Sequence, residues 1–373
     1  MTSNRIYPNQ TIGIIGGGQL GKMLAQSALR MGYRVAILDP SEDAPAKSSC
    51  HEFICADFSD KDALLKLAEM SDVLTYEFEN IDAELLTTLV DTYYVPQGAK
   101  TVLTLQNRDD EKRTISDSGA RIVPYNNIKT KTDLLEFIGR EDYPVIVKTA
   151  TGGYDGKGQY LVEQESDMDD IPFGETELIV EKYLELYGEV SLTVSRNVDG
   201  QTVFFPLQEN LHKNQILYRT IVPSRIKLFD EAKEQVAMIL EKLHFVGSFT
   251  VEFFVDKNMT LYVNEIAPRP HNSAHYSIEG CNISQFDAHI LAICNHPLPK
   301  VHLLEDSIML NLLGKDLDRL ENTLFDHSDW HVHLYGKTDR KPERKMGHVT
   351  ILTEDIENTL DVLESTFFKK KFK

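Results

Sequence analysis

Two stretches of the chain set glycine and charge where a polyphosphate would need them. In TGGYDGKG, Thr151 to Gly158, four glycines and Lys157 lie between the β-type runs PVIVK and QYLV. Glycine lets backbone N–H groups approach phosphate oxygens because no Cβ intervenes. Strand, loop, strand is not the P-loop order, which needs a helix after its lysine. It has the layout of a flexible glycine cover over ATP phosphates, and it also fits a long hairpin loop. Lys148 ends the strand before this loop, adding a second cation close in sequence to Lys157.

The second stretch, SFTVEFFVDKNMTLYVNEI from Ser248 to Ile266, reads as a hairpin turning at Asp256 to Met259. With Thr250 set opposite Glu265, period-two alternation puts Glu252 on the same face as Glu265, as a diagonal neighbour. Two such carboxylates suit Mg²⁺ shared with phosphate oxygens, and they equally suit a solvated strand face. Glu252 lies between Val251 and Phe253, in an otherwise apolar run. The following APRPHNSAHYS stiffens the backbone around Arg269 with Pro268 and Pro270. The planar fork of Arg269 suits bicarbonate, a carboxylate or a phosphoryl group, with His271, Asn272 and His275 crowded into the same loop. Two histidines this close raise the question of zinc, but no third ligand is evident.

A third signal points elsewhere. Gly16, Gly18 and Gly21 in GIIGGGQLGKM match the G-x-G-x-x-G fingerprint, and Asp39 lies near the offset of a ribose-binding acid. An NAD-dependent dehydrogenase would use these residues, but it leaves the glycine loop and the acidic hairpin unexplained.

The elements that must position these groups follow from periodicity. Thr11 to Ile15 reads as a buried strand, Leu20, Met23, Leu24, Ala28 and Met31 recur at helical spacing, and Arg34 to Leu38 reads as a second strand: a βαβ unit. A strand from Asp72 to Tyr76 ends in YEFEN. A polar helix from Asn107 to Ser118 stops at Gly119, and a second helix built on Ala232, Val236, Ile239, Leu240 and Leu243 precedes the hairpin. The chain is thus expected to hold an N-terminal Rossmann-like parallel α/β domain (1–100), a central α+β domain with the glycine-rich lid (101–298) and a small β-rich C-terminal domain (299–373).

Composition narrows the partners. At 373 residues, 42% hydrophobic and 26% charged, the chain is long enough for two or three subdomains and reads as an ordinary globular protein. Its formal net charge of -19 argues against nucleic acid or an anionic membrane surface, leaving anionic small substrates to local Lys and Arg. MTSNRIYPNQ has neither the basic flank nor the apolar run of a signal peptide, so a cytoplasmic location is expected. Cys50, Cys55, Cys281 and Cys294 form no C-x-x-C pair and are expected to be reduced thiols.

Taken together, GGYDGKGQ, VEKYL, GEVSLTV, FTVEFF, YVNEIAPRPHNS and RKMGHVT, in this order along the chain, resemble the ATP-grasp ligases. Within them they resemble the N5-carboxyaminoimidazole ribonucleotide synthetase family of purine biosynthesis. That resemblance implies a central ATP-grasp fold, a homodimer, and a reaction of ATP, bicarbonate and 5-aminoimidazole ribonucleotide with Mg²⁺ as cofactor. It places Arg108, Lys148, Gly153, Tyr154, Asp155, Gly156, Lys157, Gly158 and Gln159 on ATP, with Glu181, Lys182, Tyr183 and Leu184 as adenine hinge. Glu189 would sit on the ribose, and His212 and Asn264 would complete that site. Glu252 and Glu265 would hold Mg²⁺. Gln19, Leu20, Glu79, Tyr154, Asn272, Lys337, Arg344 and Lys345 would face the ribonucleotide, and Arg269, His271 and Asn272 the bicarbonate, with Arg269, Lys345 and Asp155 catalytic. It also makes the glycine fingerprint an anion-friendly helix start serving the phosphoribosyl amine, not NAD, and Asp39 a strand-end turn residue. The family usually has Gly where this chain has Ala274, a methyl group that would restrict the loop. Another ATP-grasp ligase, activating formate or a different carboxylate, is the nearest alternative.

Overall fold

The computed structural model describes residues 5–152, 158–320 and 324–366, and Gly153, Tyr154, Asp155, Gly156 and Lys157 lie outside them. The strands β1 (Thr11–Ile15), β2 (Arg34–Asp39), β3 (Glu52–Cys55) and β4 (Val73–Tyr76) form a parallel sheet in the order β3-β2-β1-β4. Strands β1 and β4 are almost wholly buried, as continuous apolar runs in a parallel sheet require. Helix Gln19–Arg30 buries Leu20, Met23, Leu24 and Ala28 against this sheet. It also packs on helix Gln285–Ile293, whose Phe286, Ile290 and Ile293 join the same apolar cluster.

A smaller antiparallel sheet, in the order β5-β8-β6-β7, holds β5 (Tyr125–Ile128), β6 (Val145–Thr149), β7 (Gln159–Val162) and β8 (Leu178–Lys182). The glycine stretch joins β6 to β7, with Lys148 opposite Gln159.

The largest sheet runs β14-β13-β9-β11-β12-β15-β17-β16. Its strands are β9 (Leu186–Arg196), β10 (Thr202–Phe204, paired to β9), β11 (Gln208–Lys213), β12 (Ile216–Val222), β13 (Gly247–Asp256), β14 (Leu261–Ala267), β15 (Ser307–Leu313), β16 (Trp330–Leu334) and β17 (Lys345–Leu352). The C-terminal segment, expected as a small β-rich domain, adds its strands to this sheet, β15 pairing antiparallel with β12 from Arg219↔Leu310 to Val222↔Ser307. Every residue of β15 is buried, so it needs cover on both faces and a partner on both edges.

The hairpin register also differs from expectation. Thr250 stands opposite Ala267, and Glu252 directly opposite Glu265. The turn closes Val255 on Leu261, and a bulge after Glu252 makes Phe253 pair with Val263, so Asn264 is the extra residue. The acids are therefore direct cross-strand neighbours. Ala274 lies in a short 3-10 turn, Asn272–Ala274, fully buried in an apolar cluster with an ordinary φ, so its methyl group is packing and not strain.

Candidate active site

The helix start at Gly18 shows what the glycine fingerprint does. The first N–H groups of a helix lack intrahelical acceptors, and no side chain at Gly18 caps them. Glu77, one residue past β4, supplies both acceptors: its carboxylate oxygens take the N–H groups of Gly18 and Gly21. Asp39 takes the N–H of Gly17 at 2.7 Å. A Cβ at Gly16 or Gly18 would overlap Glu77, and one at Gly21 the carbonyl of Gly16. Burial pushes the Glu77 carboxyl up while the two amides oppose that shift. The amides of Gly18 and Gly21 at the helix start are thus taken from within by Glu77. This removes the dehydrogenase alternative, whose pyrophosphate would need those same amides. Asp39 is a capping residue.

Helix Arg108–Ser118 positions the next set. Asn107 accepts from the N–H groups of Asp109 and Asp110, and Gly119 ends the helix at φ 88°. Arg108, Glu111 and Lys112 share one face at i, i+3 and i+4. Arg108 reaches Glu265 at 3.5 Å, and Lys112 reaches Glu181 at 3.0 Å. Glu111 accepts the N–H of Ile266 at 2.7 Å, and burial plus the charge of Glu265 push its carboxyl up to about 8. Lys148 on β6 donates to Glu181 on β8 at 2.8 Å. Burial alone would raise the Glu181 carboxyl, but Lys112 and Lys148 on either side hold it down at about 2. Lys148 and the side chain of Glu181 are therefore buried behind the site.

In front of them opens a cavity of about 690 Å³. Among its lining residues are Glu79, Arg108, Gln159, Glu189, His212, Glu252, Asn264, Glu265, Arg269, His271, Asn272 and Lys345, drawn from the two antiparallel sheets, the helix at Arg108, the segment after β4 and the loop after β14. Its charges come in pairs. Arg269 grips both oxygens of Glu79, using Nε and, at 2.9 Å, Nη2. His271 Nε2 lies 2.9 Å from Glu252, and His212 Nδ1 lies 2.9 Å from Glu189. Burial opposes charge on His212, but Glu189 outweighs it and raises the imidazole. Burial would likewise raise Glu252, and His271 holds its carboxyl well below the usual carboxylate range. Neither amide atom of buried Asn272 has a partner, so its polar group is available to a ligand.

Other expected residues sit at the rim or outside. Lys337 Nζ donates to Gln19 Oε1 and, at 2.8 Å, to the carbonyl of Lys345. Arg344 turns to Asp339, Lys182 to Glu141, and Tyr183 is exposed. Leu184 is half-buried. The side chain of Leu20 packs into the core, leaving only its backbone for a ligand. His275 is buried beside Gln285, its ring 4.7 Å from His348. Gly158 has φ 72° at the described end of the glycine stretch. Glu77, Glu111 and Lys112 escaped sequence reasoning. The i, i+3, i+4 spacing after Asn107 was the available signal for the last two.

Residues 9–106 match the ribonucleotide synthetase preATP-grasp domain, 113–286 the ATP-grasp domain, and 307–361 the phosphoribosylaminoimidazole carboxylase C-terminal domain. The chain is 55% identical over 362 residues to an N5-carboxyaminoimidazole ribonucleotide synthase of Staphylococcus aureus, covering 96% of this chain and 97% of that one. The N5-carboxyaminoimidazole synthetase crystal structure from Staphylococcus aureus with ADP superposes with a TM-score of 0.95, at 54% identity and 98% coverage of both chains. The Aspergillus clavatus synthase bound to ADP and 5-aminoimidazole ribonucleotide gives a TM-score of 0.88 at 27% identity, covering 96% of this chain and 98% of that one.

Proposed function

This chain belongs to the N5-carboxyaminoimidazole ribonucleotide synthase family of ATP-grasp ligases, and from that premise we infer how its residues carry the reaction. It carboxylates 5-aminoimidazole ribonucleotide with bicarbonate at the expense of ATP, giving N5-carboxyaminoimidazole ribonucleotide, ADP and phosphate. A bicarbonate oxygen attacks the γ-phosphorus and ADP leaves. The exocyclic amine then attacks the carbonyl carbon of the resulting carboxyphosphate, or CO₂ released from it; phosphate departs and the amine loses a proton.

Phosphoryl transfer asks mainly for positioning and charge neutralisation. Arg108 and Lys148 sit at the nucleotide end, and the pair His212–Glu189 suits the ribose. Arg269 and His271 face the transferred group, while Asn272 offers donor and acceptor atoms to bicarbonate. Lys345, with Lys337 at the rim, is placed for the phosphate of the ribonucleotide. Tyr154, Asp155 and Lys157, in the glycine stretch, are assigned to the lid and to the amine. Glu252 and Glu265, cross-strand neighbours on the cavity wall beside Asn264, fit Mg²⁺: two hard oxygen donors with room for phosphate oxygens and water. When bound there, the ion neutralises charge developing on the phosphates.

The observation that carries this reading is one cavity lined by the acid pair, the arginine fork and Lys345. ADP release measured with bicarbonate and the ribonucleotide omitted in turn tests it. Full turnover with formate in place of bicarbonate would transfer the assignment to a formate-using ligase. No helix among the described residues is long and apolar enough to cross a membrane. A cytoplasmic homodimer is part of the proposal.

A further inference from the structure

The charges of the cavity divide by what can release them. Glu252 and Glu265, paired with His271 and Arg108, would be the holders of Mg²⁺, and Glu189 and His212 would have the nucleotide ribose. Glu79 has neither: its carboxylate occupies Arg269 in a two-pronged grip. Bicarbonate offers the same O–C–O fork as a carboxylate, so Glu79 and bicarbonate compete for one guanidinium face. Arg269 lies in a stiffened loop between two prolines and is largely buried. The backbone of Glu79 is pinned as well, its carbonyl accepting from Gln106 Nε2 at 2.6 Å. What remains free to move is the carboxylate, whose side chain is 35% exposed at the cavity wall. Two residues before it, Glu77 caps the helix start beside Gln19, which binds Lys337 at the ribonucleotide end. The segment Glu77 to Glu79 therefore runs from the acceptor end of the cavity to the carboxyl-activating end.

Resting on the functional reading above, we infer that Glu79 is an internal stand-in for bicarbonate: it holds Arg269 until the ribonucleotide draws it away, so that the carboxyl group is activated only when its acceptor is present. The donors available are the sugar hydroxyls and the exocyclic amine of the ribonucleotide. The contact suppresses formation of carboxyphosphate that would otherwise be lost to water.

The test is Glu79→Gln, assayed for ADP release and product with saturating bicarbonate. Without ribonucleotide, bicarbonate-dependent ADP release rises about tenfold over the unaltered chain, the scale of one charge-assisted contact. With ribonucleotide, product formed per ADP falls below the ratio of the unaltered chain. An acceptor-free rate that is unchanged or lower, or an unchanged product-to-ADP ratio, overturns the inference. Independently of any variant, the KM for bicarbonate in ADP release by the unaltered chain is lower with ribonucleotide than without, and equal values also overturn it. If the unaltered chain shows no ADP release dependent on both substrates, it is the functional reading that fails.

Discussion

Glu252 faces Glu265 directly across the β13–β14 ladder, yet the two carboxylates rest on different partners, His271 at 2.9 Å and Arg108 at 3.5 Å. Like charges opposite one another repel, and a divalent ion held by both, as proposed, would relieve that repulsion. Glu252→Gln and Glu265→Gln should each raise the Mg²⁺ concentration for half-maximal ADP release at least about tenfold. A magnesium titration at saturating ATP checks this, and an unmoved midpoint removes the residue from the metal site.

With Lys337 on the phosphate of the ribonucleotide, as proposed, binding of that substrate acquires a pH dependence. Burial, with Arg344 and Lys345 nearby, pushes its ammonium down to about 8 despite Glu77. A phosphate dianion prefers the protonated lysine, so the KM for the ribonucleotide should be flat just below pH 8 and rise above it. Lys337→Met should raise that KM about tenfold and abolish the inflection. Steady-state profiles from pH 7 to pH 9 decide the point.

Glu181 between Lys112 and Lys148 is a stability device. Its carboxyl, ordinarily near 4.5, is held at about 2, so its contribution is complete above pH 4.5 and is lost as pH falls through about 2. Glu181→Gln leaves two buried ammonium groups without a counter-charge and should cost about 3–5 kcal/mol. Urea unfolding at neutral pH measures it.

His289 ties the N-terminal sheet to the large one. Its Nδ1 accepts from Ser248 N–H at 3.0 Å and its Nε2 lies 2.8 Å from Thr75 Oγ1, which donates to Gln97 Oε1 at 2.5 Å. That bonding requires the neutral ring with its proton on Nε2, and burial pushes the imidazole down to about 3. An unfolded histidine titrates near 6.5, so this stabilisation is complete above that pH and is lost as pH falls toward 3. His289→Gln should flatten the acid side of the stability profile and lower stability at pH 7 by about 1–3 kcal/mol. Thermal midpoints from pH 4 to pH 7 test both.

Local order was legible in the residues, because strands Thr11–Ile15 and Arg34–Asp39 and the helix between them follow from apolar spacing. So was the helix from Arg108, bounded by Asn107 and Gly119. Partners far along the chain were not. The G-x-G-x-x-G turn is visible as a turn, but the acid that fills it, Glu77, lies 59 residues beyond Gly18 and carries no local mark. Alternation placed Glu252 and Glu265 on one face, while the bulge at Asn264 set which residue stands opposite which. Lys148 reads as a free cation in sequence and is buried against Glu181, because an ion pair between strands leaves no periodic trace.

The continuity of β12 with β15 has a mechanical meaning. Lys345 opens β17, two strands from β12, and Glu252 and Glu265 stand on β13 and β14 of the same hydrogen-bonded slab. On the proposed reading, the holder of the acceptor and the holder of the donor's metal are graduations on one ruler. A substitution that loosens the β12–β15 seam would therefore change the distance over which the carboxyl group must be handed across, while leaving each grip intact.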